Sequence, residues 1–187
     1  MGRLFGARGL TRFNCTGKLS GTALTVKTRG GDNLLVYKAL TMIEPGHVLV
    51  IDAQGDTNNA VIGELIKLHA LERGCAGFVV DGAIRDVAAF ESTPCYARGV
   101  SHRGPYKNGP GETNVAVSIG GMVVQPGDIV IGDEDGLVAV PQAFAREVAE
   151  AAAASHGREE DIKREIASGA VHQSWLDSVL LKAGLKQ

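Results

Sequence analysis

The sequence is short of cysteine and of net charge, and it has no long apolar run. Three cysteines, Cys15, Cys75 and Cys95, stand far apart in 187 residues. Their odd number and wide spacing exclude a disulfide framework and zinc-ligand spacing, and they fit a reducing compartment. None has a histidine or a helix start beside it, so all three read as small core residues. A formal net charge of −2 argues against a nucleic-acid binder working through a broad basic face. It leaves a local basic patch or an acidic protein partner open. No run approaches the roughly 20 apolar residues that span a bilayer. The start, MGRLFGARGL, has arginines but no continuous apolar stretch, so it does not read as a signal peptide. The cytoplasm is the expected location, with no membrane and no direct nucleic-acid partner.

What is present suits one soluble domain large enough to bury a core. Hydrophobic residues make up 44% and charged residues 21%, ordinary for a globular protein. Glycine stands out, with 25 residues spread along the chain, which implies many tight turns. The expected division is an N-terminal extension over 1–18, a main domain over 19–168 and a C-terminal helix or tail over 169–187.

Short strands recur. Alternation marks one over 19–28, and apolar runs mark others at 47–52, 76–80 and 96–100, then one or two in 115–124, and 129–131 and 137–140. Helical spacing covers 34–43, with Asp32 or Asn33 as its cap. It also covers 59–73, which Gly74 stops. A short helix is expected over 85–90, and a long alanine-rich one over 143–168, broken or bent at Gly157. EPGHVLVIDAQG (44–55) is echoed by QPGDIVIGDEDG (125–136), which suggests two strands entering one sheet through equivalent Pro-Gly turns. The seven or eight strands exceed simple βα alternation. The expected class is α/β: layered sheets or a barrel-like sandwich with flanking helices.

Three constellations can carry chemistry. The first is Gly63-Glu64-Leu65-Ile66. If a helix starts here, its free N–H groups and positive dipole end form an anion site, and Gly63 allows close approach. The alternative is a glycine inside a helix that begins near Asn59. The second is DGAIRD, Asp81 to Asp86, at the end of an apolar strand, where Asp81-Gly82 reads as the turn. Arg85 offers a planar fork for a carboxylate. Asp86 offers hard oxygens for Mg²⁺ or Mn²⁺. The bland alternative is a surface ion pair. The third is charged loop material. His102 and Arg103, in the loop 101–112 that is long enough to border a site, can meet an anion or simply face solvent. Asp133, Glu134 and Asp135 fit a hairpin turn. Glu159, Glu160 and Asp161 fit a solvated helix face.

The ordered segments GDNLLVYKAL, EPGHVLVID, GELIKLHALERGCAGFVVDGAIRD, ARGVSHRGP and VQPGDIVIGDEDGLVAVP resemble the RraA-like family over about residues 17–170. That family includes class II 4-hydroxy-4-methyl-2-oxoglutarate aldolases and the regulators of ribonuclease activity A. Its members usually carry a helical segment before the position of Leu19, so this chain resembles a shortened or partly ordered version. The resemblance implies an RraA-like layered fold, assembled as a homotrimer or homohexamer with sites between subunits. It implies that Arg85 holds a pyruvyl carboxylate, that Asp86 binds Mg²⁺ or Mn²⁺ largely through waters, and that amides of Gly63 to Ile66 stabilise an enolate. Glu64 stands where an aspartate one methylene shorter is usual. Glu159 or Glu160 matches an acid supplied by a neighbouring subunit. The expected activity is release of pyruvate from a 4-hydroxy-2-oxo acid or from oxaloacetate. The expected alternative is a non-catalytic oligomer that binds and inhibits a ribonuclease.

Overall fold

The computed structural model describes residues 6–169 and 173–185. The chain forms two compact units, one ending at Ala145 and the other beginning at Arg146.

The first unit is built on a nine-stranded sheet that curls as a half-barrel. Its elements are β1 (Thr11–Arg12), β2 (Leu19–Thr28), α1 (Leu34–Leu40), β3 (His47–Asp52), β4 (Ala60–Ile62), α2 (Glu64–Leu71), β5 (Gly77–Ile84) and β6 (Cys95–Val100). Then come β7 (Gly111–Thr113), β8 (Val117–Ile119), β9 (Met122–Val124), β10 (Ile129–Gly132) and β11 (Leu137–Val140). The strand order is β1-β6-β5-β3-β2-β10-β11, with β4 added to β5 and β7 added to β2. The central neighbours β2, β3, β5 and β6 are parallel, and β10 and β11 continue the sheet antiparallel.

Both faces of the parallel core are covered, as parallel sheets require. The period of two sorts the side chains. Leu49, Ile51, Phe78 and Val80 join α1 and α2 in one core, while Val48, Val50, Val79 and Tyr96 meet the β8–β9 hairpin in another. A single sheet therefore carries two apolar cores, which accounts for the near-continuous apolar runs of β3 and β5.

The repeated Pro-Gly segments adopt one solution. Gly46 and Gly127 have φ of 89° and 83°, and each turn closes by an N–H of the next residue, His47 to the Glu44 carbonyl and Asp128 to the Gln125 carbonyl. Proline then glycine with positive φ is the type II turn signature. The two turns launch β3 and β10, which flank β2 on opposite sides.

Several sequence expectations need correction. The helical spacing over 59–73 divides into a strand, Ala60–Ile62, and a helix starting at Glu64. Asp81-Gly82 does not turn: β5 runs on to Ile84. The helix around Gly157 is unbroken from Ala145 to Ala167 (α3). Cys75 and Cys95 are buried, but Cys15 is exposed. The acidic run 133–135 does form the β10–β11 turn, with the Asp133 N–H donating to the Gly136 carbonyl. The second unit holds most of α3 and α4 (Ser174–Lys182). Among the described residues, no helix is long and apolar enough to cross a membrane.

Candidate functional site

Two adjacent strand ends bring Gly63 to Arg85 and Asp86. Strand β4 lies parallel to β5, with Ile62 beside Ile84. The Arg85 N–H donates to the Ile62 carbonyl at 3.0 Å. Both strands stop there, so the residue after each emerges at the carboxyl edge of the sheet, the usual place for ligands in open α/β sheets. After β4 the chain enters α2, with Gly63 as the extended residue before it (φ −155°, ψ −163°). After β5, Asp86 takes a left-handed conformation (φ 55°, ψ 46°) and leads into a 3₁₀ turn, Val87–Phe90. Phe90 anchors that turn edge-on against Phe78, with ring centroids 5.8 Å apart. A left-handed aspartate is tolerated at a cost of about 1 kcal/mol, a strain that tends to gather at functional sites.

The contacts are close. Asp86 Oδ2 accepts the Glu64 N–H at 3.1 Å and lies 3.5 Å from Arg85 Nε. A Cβ on Gly63 would lie 2.5 Å from Asp86 Oδ2 and 2.9 Å from Arg85 Cγ. Gly63 is therefore fixed by space, since its backbone angles are open to any residue. A Cβ on Gly104 would lie 3.4 Å from Arg85 Nη1, so the guanidinium runs between the start of α2 and the loop after β6. Arg85 and Asp86 keep side-chain exposures of 42% and 45%, enough for both to meet a ligand. Among the described residues, the Leu65 and Ile66 N–H groups have no acceptor. They are the free donors of a helix start, where the dipole favours negative charge.

A small cleft opens here, lined among others by Asn33, Tyr37, Gly63, Arg85, Pro105 and Lys107. The sequence reading missed Asn33, Tyr37 and Lys107. Asn33 is 2% exposed, its Nδ2 donates to the Val61 carbonyl at 3.1 Å, and its buried Oδ1 has no partner among the described residues. An unmet buried acceptor is costly and marks a place for a ligand or water donor. Lys107 Nζ sits 5.6 Å from the centroid of the Tyr37 ring, a cation–π contact. The only sequence signal for these residues was the length of loop 101–112 and the Asp32-Asn33 pair ahead of a helix. His102 and Arg103 are exposed, and it is Lys107 that faces the cleft.

Other charged residues singled out from the sequence have settings of their own. Asp81 belongs to a second constellation: its carboxylate receives both Nε and Nη2 of Arg98 and the Gly120 N–H at 2.8 Å. The pair holds the Arg98 guanidinium above its ordinary pKa, through the hydrogen bond first and charge second. Asp81 thus ties the sheet to the β8–β9 hairpin. Glu134 pairs with Arg12 at 2.8 Å. Glu159 and Glu160 lie on α3 in the second unit, with Glu160 paired to Lys163 at 2.7 Å.

The donor set bears on a divalent ion. Among the described residues, no group of three or more histidine, cysteine or acidic side chains could hold a metal. Asp86, after β5, and Glu64, at the start of α2, offer one or two carboxylates. That fits Mg²⁺, which keeps several waters and binds through few protein oxygens plus those of its substrate.

A family model described as RraA-like, Aldolase/RraA, matches residues 2–139. The chain belongs to the RraA-like family. A Halalkalibacterium halodurans relative named "Putative 4-hydroxy-4-methyl-2-oxoglutarate aldolase" is 39% identical over 156 residues, covering 82% of this chain and 74% of that protein. Among solved structures, RraAS2 of Streptomyces coelicolor, described as an unusual member of the RNase ES inhibitor RraA family, matches with TM-score 0.76 and 29% identity. That match covers 87% of this chain and 85% of the other. The RNA-processing inhibitor RraA from Thermus matches with TM-score 0.67 and 31% identity, over 72% and 83% of the two chains. The RraA-like fold thus carries relatives named for an enzyme and for inhibitors, so the site has to decide between the two.

Proposed function

We propose that this RraA-like protein is a divalent-metal-dependent lyase that releases pyruvate from a 4-hydroxy-2-oxo acid or from oxaloacetate. The observation that carries the reading is the meeting of Arg85, Asp86 and the free amides of α2 around Gly63. Arg85 holds the substrate's C1 carboxylate through its planar fork. Asp86, with Glu64 beside it, would hold Mg²⁺ or Mn²⁺, whose chemistry is Lewis-acid polarisation of the 2-oxo oxygen. The N–H groups of Leu65 and Ile66 face the negative charge that develops as the C3–C4 bond breaks, where fixed donors act most strongly. The proton lost from the C4 hydroxyl leaves through a water ordered by Glu64, and C3 of the enolate regains one. No lysine Schiff base is required. Lys107, on the loop wall, meets the part of the substrate beyond the pyruvyl group. The working form is a homotrimer or homohexamer in the cytoplasm, with Glu159 or Glu160 of a neighbouring subunit completing the acidic set.

The test is pyruvate release from 4-hydroxy-4-methyl-2-oxoglutarate and from oxaloacetate, with and without Mg²⁺. No metal-dependent turnover of either would sink the reading. A second reading, a non-catalytic regulator that inhibits a ribonuclease, is favoured by the names of the Thermus and Streptomyces relatives. Stoichiometric capture of a nuclease, with no calorimetric binding of Mg²⁺ or Mn²⁺, would put it first.

A further inference from the structure

The GGDN turn between β2 and α1 contains a buried acid that touches neither Arg85 nor Asp86. The Asp32 side chain is fully buried. Its Oδ1 accepts the Leu34 N–H at 2.9 Å, at the first residue of α1. Its Oδ2 accepts two amides from far along the chain, Asn108 at 2.7 Å and Gly109 at 3.0 Å. Arg29 Nη2 approaches the same oxygen at 3.4 Å. The backbone adds to the clasp, because the Asn33 N–H donates to the Tyr106 carbonyl and the Tyr106 N–H to the Gly31 carbonyl. Arg29 also lies over the Tyr106 ring, 5.6 Å from its centroid.

Between Tyr106 and Asn108 stands Lys107, and directly after Asp32 stands Asn33. Two walls of the cleft are therefore joined through one carboxylate. One wall is α1 with Asn33 and Tyr37, and the other is the loop with Pro105 and Lys107. The third wall, Gly63 and Arg85, comes from strand ends that Asp32 does not touch. A surface loop would ordinarily be free to vary in position. Here a buried charge holds it through hydrogen bonds of the strong, charge-assisted kind.

We propose that Asp32 is a positioning residue that sets the distance between the α1 wall and the Lys107 wall, and so governs recognition of the anionic end of the substrate beyond its pyruvyl group. This rests on the lyase reading above. The pyruvyl end, held by Arg85 and the α2 amides, is independent of it.

The experiment separates the two ends on the full chain with Mg²⁺. Exchange of the C3 protons of pyruvate in D₂O, followed by NMR, reports the pyruvyl end alone. Oxaloacetate decarboxylation reports both ends, because its second carboxylate must also be placed. Asp32→Asn keeps the shape and the Oδ1 acceptor but replaces the oxygen that receives Asn108 and Gly109. Loss of charge-assisted bonds should raise KM for oxaloacetate about tenfold or more. The kcat and the pyruvate exchange rate should stay within about twofold, a change of under half a kcal/mol. Hydrogen exchange of the 108–109 amides should quicken. Lys107→Met, a change at an exposed residue, should raise the same KM by a comparable factor. If oxaloacetate KM is unchanged in either variant, the loop reads nothing and the proposal fails. If exchange and decarboxylation fall together, or Asp32→Asn does not fold, Asp32 is a structural clasp and the proposal fails. If wild-type protein shows no metal-dependent exchange, the lyase reading falls and takes this role with it.

Discussion

Asp86 caps the helix that begins beside it in space and 22 residues before it in sequence: its Oδ2 takes the Glu64 N–H at 3.1 Å. One carboxylate thus fixes the angle between a strand end and a helix start. It is also the group proposed to hold the metal, so the scaffold and the chemistry share an atom. Gly63 lies between the two and allows the approach.

Gly63→Ala is the sharpest test of that geometry. The new methyl would sit 2.5 Å from Asp86 Oδ2 and 2.9 Å from Arg85 Cγ, so one side chain must move. The backbone at φ −155° accepts alanine, so the fold should lose only about 1–2 kcal/mol, the cost of a local shift. A displacement of about 1 Å at reacting groups costs about 100-fold in rate. The expected result is a kcat/KM about 100-fold down with a melting temperature within a few degrees of wild type. A variant with full activity would mean that Asp86 and Arg85 do not act from these positions.

Asp86 separates backbone strain from chemistry. Asp86→Ala loses the helix cap and keeps an unfavourable left-handed residue. Asp86→Gly loses the same cap but relieves the φ of 55°. The glycine variant should be the more stable of the two by about 1 kcal/mol, read by urea denaturation. Both should lose Mg²⁺ binding in calorimetry and all turnover. Metal binding retained in either would remove Asp86 from the metal site.

Much of the scaffold was legible because local signals decided it. The strands 19–28 and 47–52 stand where alternation and apolar runs put them, and the two Pro-Gly turns are equivalent because proline then glycine leaves one good geometry. Misreadings fell where a distant partner decides. Val61-Ile62 looked like the first turn of a helix, but pairing of β4 with β5 makes it a strand, and no local period carries that. Asp81-Gly82 has a turn signature, yet β5 continues through it beside β3 and β4. Gly157 lowered helix propensity by about 1 kcal/mol, too little to break a helix of 23 residues. At the site, Gly63, Arg85 and Asp86 lie in two motifs that the sequence displays. Asn33, Tyr37 and Lys107 join them through long-range contacts, the Asn33 bond to the Val61 carbonyl and the Asp32 bond across 76 residues to Asn108.

The cysteines should differ in reactivity. Cys15 is exposed, whereas Cys75 and Cys95 are buried. Burial pushes both buried thiols up in pKa, away from the reactive thiolate. Native protein at pH 8 should release one equivalent of thiolate from an aromatic disulfide reagent, and three after denaturation. Fast reaction of two or more thiols in the native state would contradict the burial of Cys95 at the start of β6 and of Cys75 after α2.

Asp32 predicts a pH dependence with a definite sign. Burial pushes its carboxyl upward, but the Leu34, Asn108 and Gly109 N–H groups and the Arg29 charge outweigh it, leaving the pKa below the ordinary 3.8. A depressed acid stabilises the fold fully above its unfolded value, and that contribution disappears as pH falls through the folded value. The stability difference between wild type and Asp32→Asn should therefore be constant from pH 7 to about 5, where an ordinary carboxyl is ionised in both states. It should narrow below 3.8 as the unfolded carboxyl takes up a proton that the folded clasp resists. Urea unfolding of both proteins at pH 7, 5, 4 and 3 checks this. A difference that stays constant down to pH 3 would show that the Asp32 charge does not hold the loop, because a charge kept only in the folded state still loses its stabilising effect once the unfolded carboxyl takes up a proton. Repeating the series in an Arg29→Met background should shrink the narrowing, because loss of the Arg29 charge brings the folded pKa of Asp32 back toward its ordinary value.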